Sequence, residues 1–134
     1  MNECIFCKIV SKEIPSYTIY EDKDFLAFLD IRPLNPGHTL VIPKKHYRWV
    51  WDYPNLSKYY GFVGKIVNGI RKSMKTEFVV SLVFGEEVHH AHVQLIPRFK
   101  DDGHGGSINL KNNKEISKEE MGKISETINK NIKN

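Results

Sequence analysis

Apolar and polar residues follow two different periods along this chain of 134 residues. Five short segments are alternating or almost continuously apolar, and β-branched and aromatic residues are common in them, which predicts strands. They span residues 17–21, 25–30, 38–43, 78–84 and 88–97. Polar turns, prolines or glycines separate most of them, so each predicted strand is short.

Two longer segments have apolar residues at three- and four-residue intervals, which predicts amphipathic helices. The first spans residues 57–75 with Ser57 as N-cap, and the second spans residues 117–132, opened by a capping box of Ser117 and Glu120. Residues 100–116, between the last predicted strand and the last helix, are rich in polar residues that form turns. This composition predicts a mobile loop. This order of elements predicts one α+β domain over residues 1–134, with helices on one face of an antiparallel sheet.

Composition narrows the class of protein. Apolar residues make up 40% and charged residues 27%, and the formal net charge is +4, which is typical of a globular domain. No apolar run approaches the roughly 20 residues of a membrane span, no signal-like segment begins the chain, and no basic arm marks nucleic-acid binding. We therefore expect a cytoplasmic protein with neither a membrane nor a specific nucleic-acid partner.

The chain has only two cysteines, Cys4 and Cys7, spaced as C-x-x-C. Half of a metal site, a free thiol pair and a redox pair are all consistent with this spacing. The redox alternative is the weakest, because a redox C-x-x-C normally follows a strand and no segment before Cys4 is long enough to form one.

Three of the six histidines lie close together, at positions 89, 90 and 92. Because side chains alternate along a strand, His90, His92 and Gln94 are expected on one face and the apolar residues between them on the other. The pattern suits either an exposed polar face or a site where neutral imidazoles act as nucleophile, ligand or acid-base group. We expect His89 at the rim and His104, in a glycine-rich loop, in solvent.

Five segments together resemble the histidine triad (HIT) family over nearly the whole chain. They are residues 4–10 (CIFCKIV), 20–22 (YED), 26–31 (LAFLDI), 36–46 (PGHTLVIPKKH) and 90–98 (HAHVQLIPR). Each segment alone is only weakly specific for this family, but all five in this order are highly specific for it. The resemblance implies a HIT-like α+β fold, in which a five-stranded antiparallel sheet with two main helices continues across a homodimer.

The resemblance also implies chemistry on a nucleotide or dinucleotide. His92 would attack the α-phosphate and form a nucleotidyl-histidine intermediate, while a carbonyl of a neighbouring strand held its second ring nitrogen. His90 and His38 would orient this nucleophile and support the phosphate. The implied nucleotide-binding residues are Asp30 at the ribose hydroxyls, Ile31, Phe6 and Leu29 beside the base, and Gln94. Asp30 could instead serve only to cap the turn that follows it.

Two departures from the commonest family pattern leave the reaction open. Gln94, the remaining implied catalytic residue, stands near the leaving-group oxygen where a third histidine is usual. Its amide can donate a hydrogen bond there but cannot act as a general acid near neutral pH. Glu86 and Glu87 stand where many relatives have polar groups that hold the α-phosphate, and carboxylates there would repel it unless they turned away or met a cation. A hydrolase, a phosphorylase or nucleotidylyltransferase with the same intermediate, and a non-catalytic binding module therefore remain alternatives.

The resemblance finally implies a structural zinc ion. Its four ligands would be Cys4, Cys7, His46 and His90, a closed set of two sulfurs and two imidazoles that suits Zn²⁺. The alternative is a metal-free thiol pair with His46 in solvent.

Overall fold

The computed structural model describes residues 3–132, so the first and last two residues of the predicted domain lie outside the described residues. The helices are α1 (Ile5–Val10), α2 (Leu56–Met74) and α3 (Lys118–Lys130), with a 3-10 turn at Val50–Asp52. The strands are β1 (Thr18–Glu21), β2 (Phe25–Leu29), β3 (Thr39–Pro43), β4 (Val79–Leu82) and β5 (Val93–Pro97).

The five strands form one antiparallel sheet in the order β1–β2–β3–β5–β4. Because β5 enters between β3 and β4, Gln94 pairs with Leu40 on one side and with Leu82 on the other. This topology places Gln94 beside the start of β3, where His38 lies. The predicted α+β architecture with a five-stranded antiparallel sheet is confirmed.

Different helices cover the two faces of the sheet. α2 and α3 pack on one face, where Phe25, Tyr59 and Ile128 are fully buried. α1 lies on the other face, with Phe6 and Ile9 packed against apolar residues of β2 and β3. The two main helices therefore share one face as predicted, and α1 adds a layer on the opposite face that carries the C-x-x-C segment.

The N-cap of α2 is Asn55 rather than the predicted Ser57. The side-chain oxygen of Asn55 accepts a hydrogen bond from the Lys58 N–H at 3.0 Å, so the helix begins at Leu56. Asparagine satisfies a free N–H of the first turn as well as serine does. α3 begins as predicted, with the Ser117 hydroxyl accepting from the Glu120 N–H at 3.1 Å.

Both C-terminal strands are shorter than the apolar pattern predicts. β5 begins at Val93 rather than at residue 88, since the Ala91 N–H donates to the Tyr47 carbonyl at 2.7 Å and not to a neighbouring strand. The alternation nevertheless persists, because Ala91, Val93 and Leu95 all lie in the core. β4 excludes Phe78, whose side chain is 57% exposed.

Candidate active site and metal cluster

His92 lies on the α1 face of the sheet with one ring nitrogen engaged. Its Nδ1–H donates to the backbone carbonyl of His90 at 2.8 Å, so the lone pair is on Nε2. The carbonyl therefore comes from two residues earlier in the same segment, and not from a neighbouring strand as predicted. Burial lowers the pKa of His92, which is only 8% exposed, so the ring is neutral at pH 7.

Phe6 of α1 packs edge-on against the same ring, with 5.3 Å between the ring centroids of Phe6 and His92. It also contacts His90 at 5.9 Å and Phe28 at 5.5 Å between centroids. The N-terminal helix thus supports the candidate nucleophile directly, and the contact of Phe6 with a nucleotide base stays a prediction.

His38 and Gln94 form a hydrogen-bonded pair across β3 and β5. The Leu34 N–H donates to Nδ1 of His38 at 3.0 Å, so the ring proton is on Nε2. That Nε2–H donates to Oε1 of Gln94 at 2.9 Å. Burial lowers the pKa of His38, although the nearby carboxylate of Asp30 acts in the opposite direction.

The predicted nucleotide-binding residues do not all share this face. Asp30 lies at the end of β2, where one carboxylate oxygen accepts from the Arg32 N–H at 2.9 Å and the other is 3.6 Å from Nε2 of His38. Asp30 therefore does cap its turn, and it also faces the histidines. Ile31 is 75% exposed. The structure corrects the prediction that Leu29 lies beside the base. Leu29 points to the α2–α3 face and is only 2% exposed in the core, because neighbouring residues of a strand face opposite sides.

The structure brings the four predicted metal ligands together. One donor atom from each of Cys4, Cys7, His46 and His90 lies within 4.8 Å of all the others. Nδ1 of His90 is 3.3 Å from Sγ of Cys4 and 3.6 Å from Sγ of Cys7, and Nδ1 of His46 is 3.4 Å from Sγ of Cys7. Tetrahedral zinc with its usual bond lengths places sulfur and nitrogen ligands about 3.6 Å apart. The spacing of the donors therefore fits zinc.

The protonation of the cluster also fits a metal. Nε2–H of His90 donates to the Pro43 carbonyl at 2.8 Å, which leaves the Nδ1 lone pair facing the sulfurs. Burial lowers the pKa of His90 to about 4, so this nitrogen is unprotonated at pH 7. Burial, helped by the adjacent Cys4, raises the pKa of Cys7 to about 11. Metal binding would reverse that shift, since thiolates are the ligating form.

Arg48 is a residue near the site that the sequence pattern did not single out. Its guanidinium donates to the Gly85 carbonyl at 2.7 Å and stacks on the Trp49 ring at 3.7 Å. Its positive charge adds to the effect of burial in lowering the pKa of His92. Within residues 3–132 no carboxylate pairs with Arg48. Glu86 and Glu87 are exposed and form no ion pair there.

The structure also corrects the prediction that His104 lies in solvent, because this residue is only 6% exposed. Its Nε2 lies 2.8 Å from the Leu34 carbonyl, and its Nδ1 accepts from the Asn109 N–H at 3.1 Å. No periodicity marks a buried position in a glycine-rich loop, so the sequence offers no signal for the burial of His104.

His89 is exposed, as expected for a rim residue. Across residues 3–132, the helices are too short or too polar to cross a bilayer.

A profile of the HIT domain matches residues 11–101 of the chain. This chain belongs to the HIT domain family. An uncharacterized HIT-like protein of Borreliella burgdorferi is 42% identical over 88% of this chain and 91% of its own length. Adenosine 5′-monophosphoramidase of Saccharomyces cerevisiae is 39% identical over 71% of this chain and 62% of its own length.

A zinc-bound histidine triad protein of Mycobacterium smegmatis has the same fold, with a TM-score of 0.78 and 30% identity over 96% of this chain and 95% of that protein. The family and the HIT-like fold predicted from the sequence are confirmed. That relative is bound to zinc, and the cluster of two cysteines and two histidines in this chain has a spacing that fits the same metal.

Proposed function

We propose that this HIT protein is a nucleotidyl hydrolase or transferase that uses His92 as its nucleophile. Nε2 of His92 attacks the α-phosphate of a nucleoside polyphosphate or nucleotide conjugate. The new N–P bond replaces the P–O bond to the leaving group, and water or another acceptor then displaces the histidine. The observation that carries the proposal is the neutral, buried ring of His92, whose Nδ1–H is held by the His90 carbonyl at 2.8 Å.

The surrounding residues have the chemistry that such a reaction needs. The amide nitrogen of Gln94 has no acceptor among residues 3–132 and can donate to a phosphate or leaving-group oxygen. Arg48 supplies a positive charge close to His92, where negative charge develops in the transition state. His90 and His38 act by positioning, and Asp30 faces the same side as a partner for the ribose hydroxyls.

Gln94 sets the kind of leaving group that we expect. Because it cannot protonate the departing atom, substrates whose leaving groups are stable anions are favoured. Turnover of a dinucleoside polyphosphate, adenylyl sulfate and adenosine 5′-phosphoramidate tests this directly. We expect higher kcat/KM for the first two than for the phosphoramidate, and loss of all three activities in His92→Asn. Absence of turnover across the whole panel would refute the proposal.

A phosphorylase or nucleotidylyltransferase is the second candidate, because an anionic acceptor can displace the histidine without a general base, whereas an attacking water must lose a proton. Gln94 is the feature that favours it. Product analysis in water, and then with added phosphate or a sugar phosphate, separates the two. A hydrolase releases the nucleoside monophosphate in every case, whereas a transferase forms the nucleoside diphosphate or the nucleotide sugar in proportion to the added acceptor.

We further propose that the ion held by Cys4, Cys7, His46 and His90 is a structural zinc. Four protein ligands close the tetrahedral shell and leave no position for substrate. The ion then supplies no chemistry to the reaction, and instead fastens the start of α1 to His90. This contribution is to stability and to the placement of His92.

We also propose that the protein acts as a homodimer joined through β4. β4 lies at an edge of the sheet, with its side chains only partly buried and with the exposed Phe78 and Phe84 beyond its ends. An edge strand with free backbone groups and exposed apolar residues at both ends can pair with the same strand of a second copy of the chain. Sedimentation equilibrium gives twice the protomer mass if this is right, and the protomer mass at micromolar concentration if it is wrong.

A further inference from the structure

His104 is a buried histidine that the proposed chemistry does not use, and its protonation can be read from its partners. The Asn109 N–H can only donate, so Nδ1 of His104 is the acceptor of that 3.1 Å bond. The ring proton of the neutral imidazole is therefore on Nε2, which donates to the Leu34 carbonyl at 2.8 Å. Lys114 Nζ lies farther from this nitrogen, at 3.4 Å.

The backbone of Leu34 links His104 to the active site through two neighbouring peptide groups. Its carbonyl is held by His104, and its N–H donates to Nδ1 of His38 at 3.0 Å. With Nδ1 as acceptor, the proton of His38 is on Nε2, and Nε2–H donates to Gln94 at 2.9 Å. Each donor and acceptor is thus determined by a backbone N–H, that of Asn109 for His104 and that of Leu34 for His38, and His104 acts on His38 by holding the Leu34 backbone in position.

The hydrogen bond between His38 and Gln94 decides whether the oxygen or the NH₂ group of the Gln94 amide faces His38. The two ends of an amide have nearly the same shape, and only hydrogen-bond partners distinguish them. Because Nε2–H of His38 must meet an acceptor, Oε1 of Gln94 faces His38 and the NH₂ group faces away. The reversed amide would present a lone pair, and not a donor, to an anionic oxygen.

We propose that His104 is a positioning residue that acts through Leu34 and His38 to keep the NH₂ group of Gln94 directed at the leaving-group oxygen. The inference rests on the proposed function, in which Gln94 meets that oxygen. It also ties the loop after β5 to the reaction. Asp102 anchors this loop by accepting from the His104 N–H at 3.1 Å and from Arg98 Nε at 2.8 Å.

The test compares His104→Phe, which keeps a ring and removes both hydrogen bonds, with His104→Gln, whose amide nitrogen can replace Nε2. We expect His104→Phe to lower kcat by roughly tenfold to a hundredfold with KM changed less than about twofold, because a donor is displaced without loss of ground-state contacts. The loss should increase as the leaving group becomes more basic. His104→Gln should recover most of kcat, and His89→Phe, at an exposed histidine, should match the wild type.

A spectroscopic measurement keeps this inference separate from the proposed function. The ¹⁵N shifts of His38 report its tautomer without any substrate. We expect the Nε2–H form in the wild type and in His104→Gln, and a mixture of tautomers in His104→Phe. An unchanged His38 tautomer in His104→Phe would overturn the relay. A changed tautomer with an equal loss of kcat for all leaving groups would overturn its role at Gln94. An inactive wild type with the expected tautomers would refute the proposed function and leave the relay standing.

Discussion

The carbonyl oxygen of His90 lies 2.8 Å from Nδ1 of His92, while Nδ1 of His90 itself lies 3.3 Å from Sγ of Cys4. His90 therefore belongs both to the candidate metal cluster and to the support of the proposed nucleophile, His92. Its backbone sets the tautomer of His92, and its side chain joins that backbone to α1. In the proposed reaction, this connection would let the cluster act on His92 without any contact between metal and substrate.

Removal of one sulfur should therefore affect both metal content and turnover. We expect about one zinc per chain in the wild type and much less in Cys4→Ser, since a hydroxyl is a poor replacement for a thiolate. We also expect a lower Tm and a lower kcat, although His92 is intact. Elemental analysis, thermal unfolding and kinetics check this. Full zinc occupancy in Cys4→Ser would show that the ligand set is wrong.

Arg48→Ala should weaken turnover of polyphosphate substrates more than that of phosphoramidates. The guanidinium is held beside the site by Gly85 and Trp49 and is not neutralised by a carboxylate among the described residues. We expect kcat/KM for a dinucleoside polyphosphate to fall about tenfold to a hundredfold, since a preorganised charge is lost. Lys45→Ala removes the same charge from an exposed neighbouring position and is the matched control. Equal effects of the two substitutions would contradict a specific role for Arg48.

Asp102→Asn should destabilise the fold. The carboxylate is only 5% exposed and pairs with Arg98 at 2.8 Å, and removing one partner of such a pair leaves the other charge unpaired. We expect a loss of about 3 kcal/mol in the free energy of unfolding by urea. Asp101→Asn, at the exposed adjacent residue, should change it by less than about 0.5 kcal/mol.

The same pair predicts a dependence on acid. Hydrogen bonding from Arg98 holds the pKa of Asp102 well below its ordinary value of 3.8. The stabilisation is therefore present in full above that ordinary value and is lost as the pH falls towards the lowered pKa. Urea titrations should show the gap between the wild type and Asp102→Asn narrowing below about pH 4. A gap that widens in acid would contradict the sign of this shift.

The start of α2 can be tested by removing each candidate cap. Asn55→Ala should cost about 1 kcal/mol of unfolding free energy, because the first-turn N–H of Lys58 loses its acceptor. Ser57→Ala should be neutral or slightly stabilising, since the position is exposed and inside the helix. The reverse order of effects would restore Ser57 as the N-cap.

The parts of the fold that depend on periodicity were predictable from the sequence. The alternation around Gln94 and the stripe of α2 report which residues are buried, and the structure agrees with them. The four metal ligands were reached only through a resemblance, because Cys4 and His90 are 86 residues apart and no local pattern joins them. The structure places their donor atoms together by packing α1 on the free face of the sheet.

The features that sequence reasoning missed depend on hydrogen bonds between loops. The burial of His104 results from acceptors and donors supplied by Leu34 and Asn109, neither of which carries a recognisable signal. The position of Arg48 depends on the carbonyl of Gly85, a backbone group that is the same in every residue. Leu29 was misplaced for a simpler reason, since its assignment followed the resemblance rather than the alternation of β2.

The covalent intermediate on His92 is the central claim, and intact-protein mass spectrometry tests it most directly. The protein is mixed with a dinucleoside polyphosphate, quenched without acid during turnover and weighed beside His92→Asn treated in the same way. We predict that the wild type gains the mass of one nucleotidyl group, that is, a nucleoside monophosphate less one water, and that His92→Asn gains none. Turnover by the wild type without any such adduct, or an equal adduct on His92→Asn, would contradict the assignment of His92 as the nucleophile.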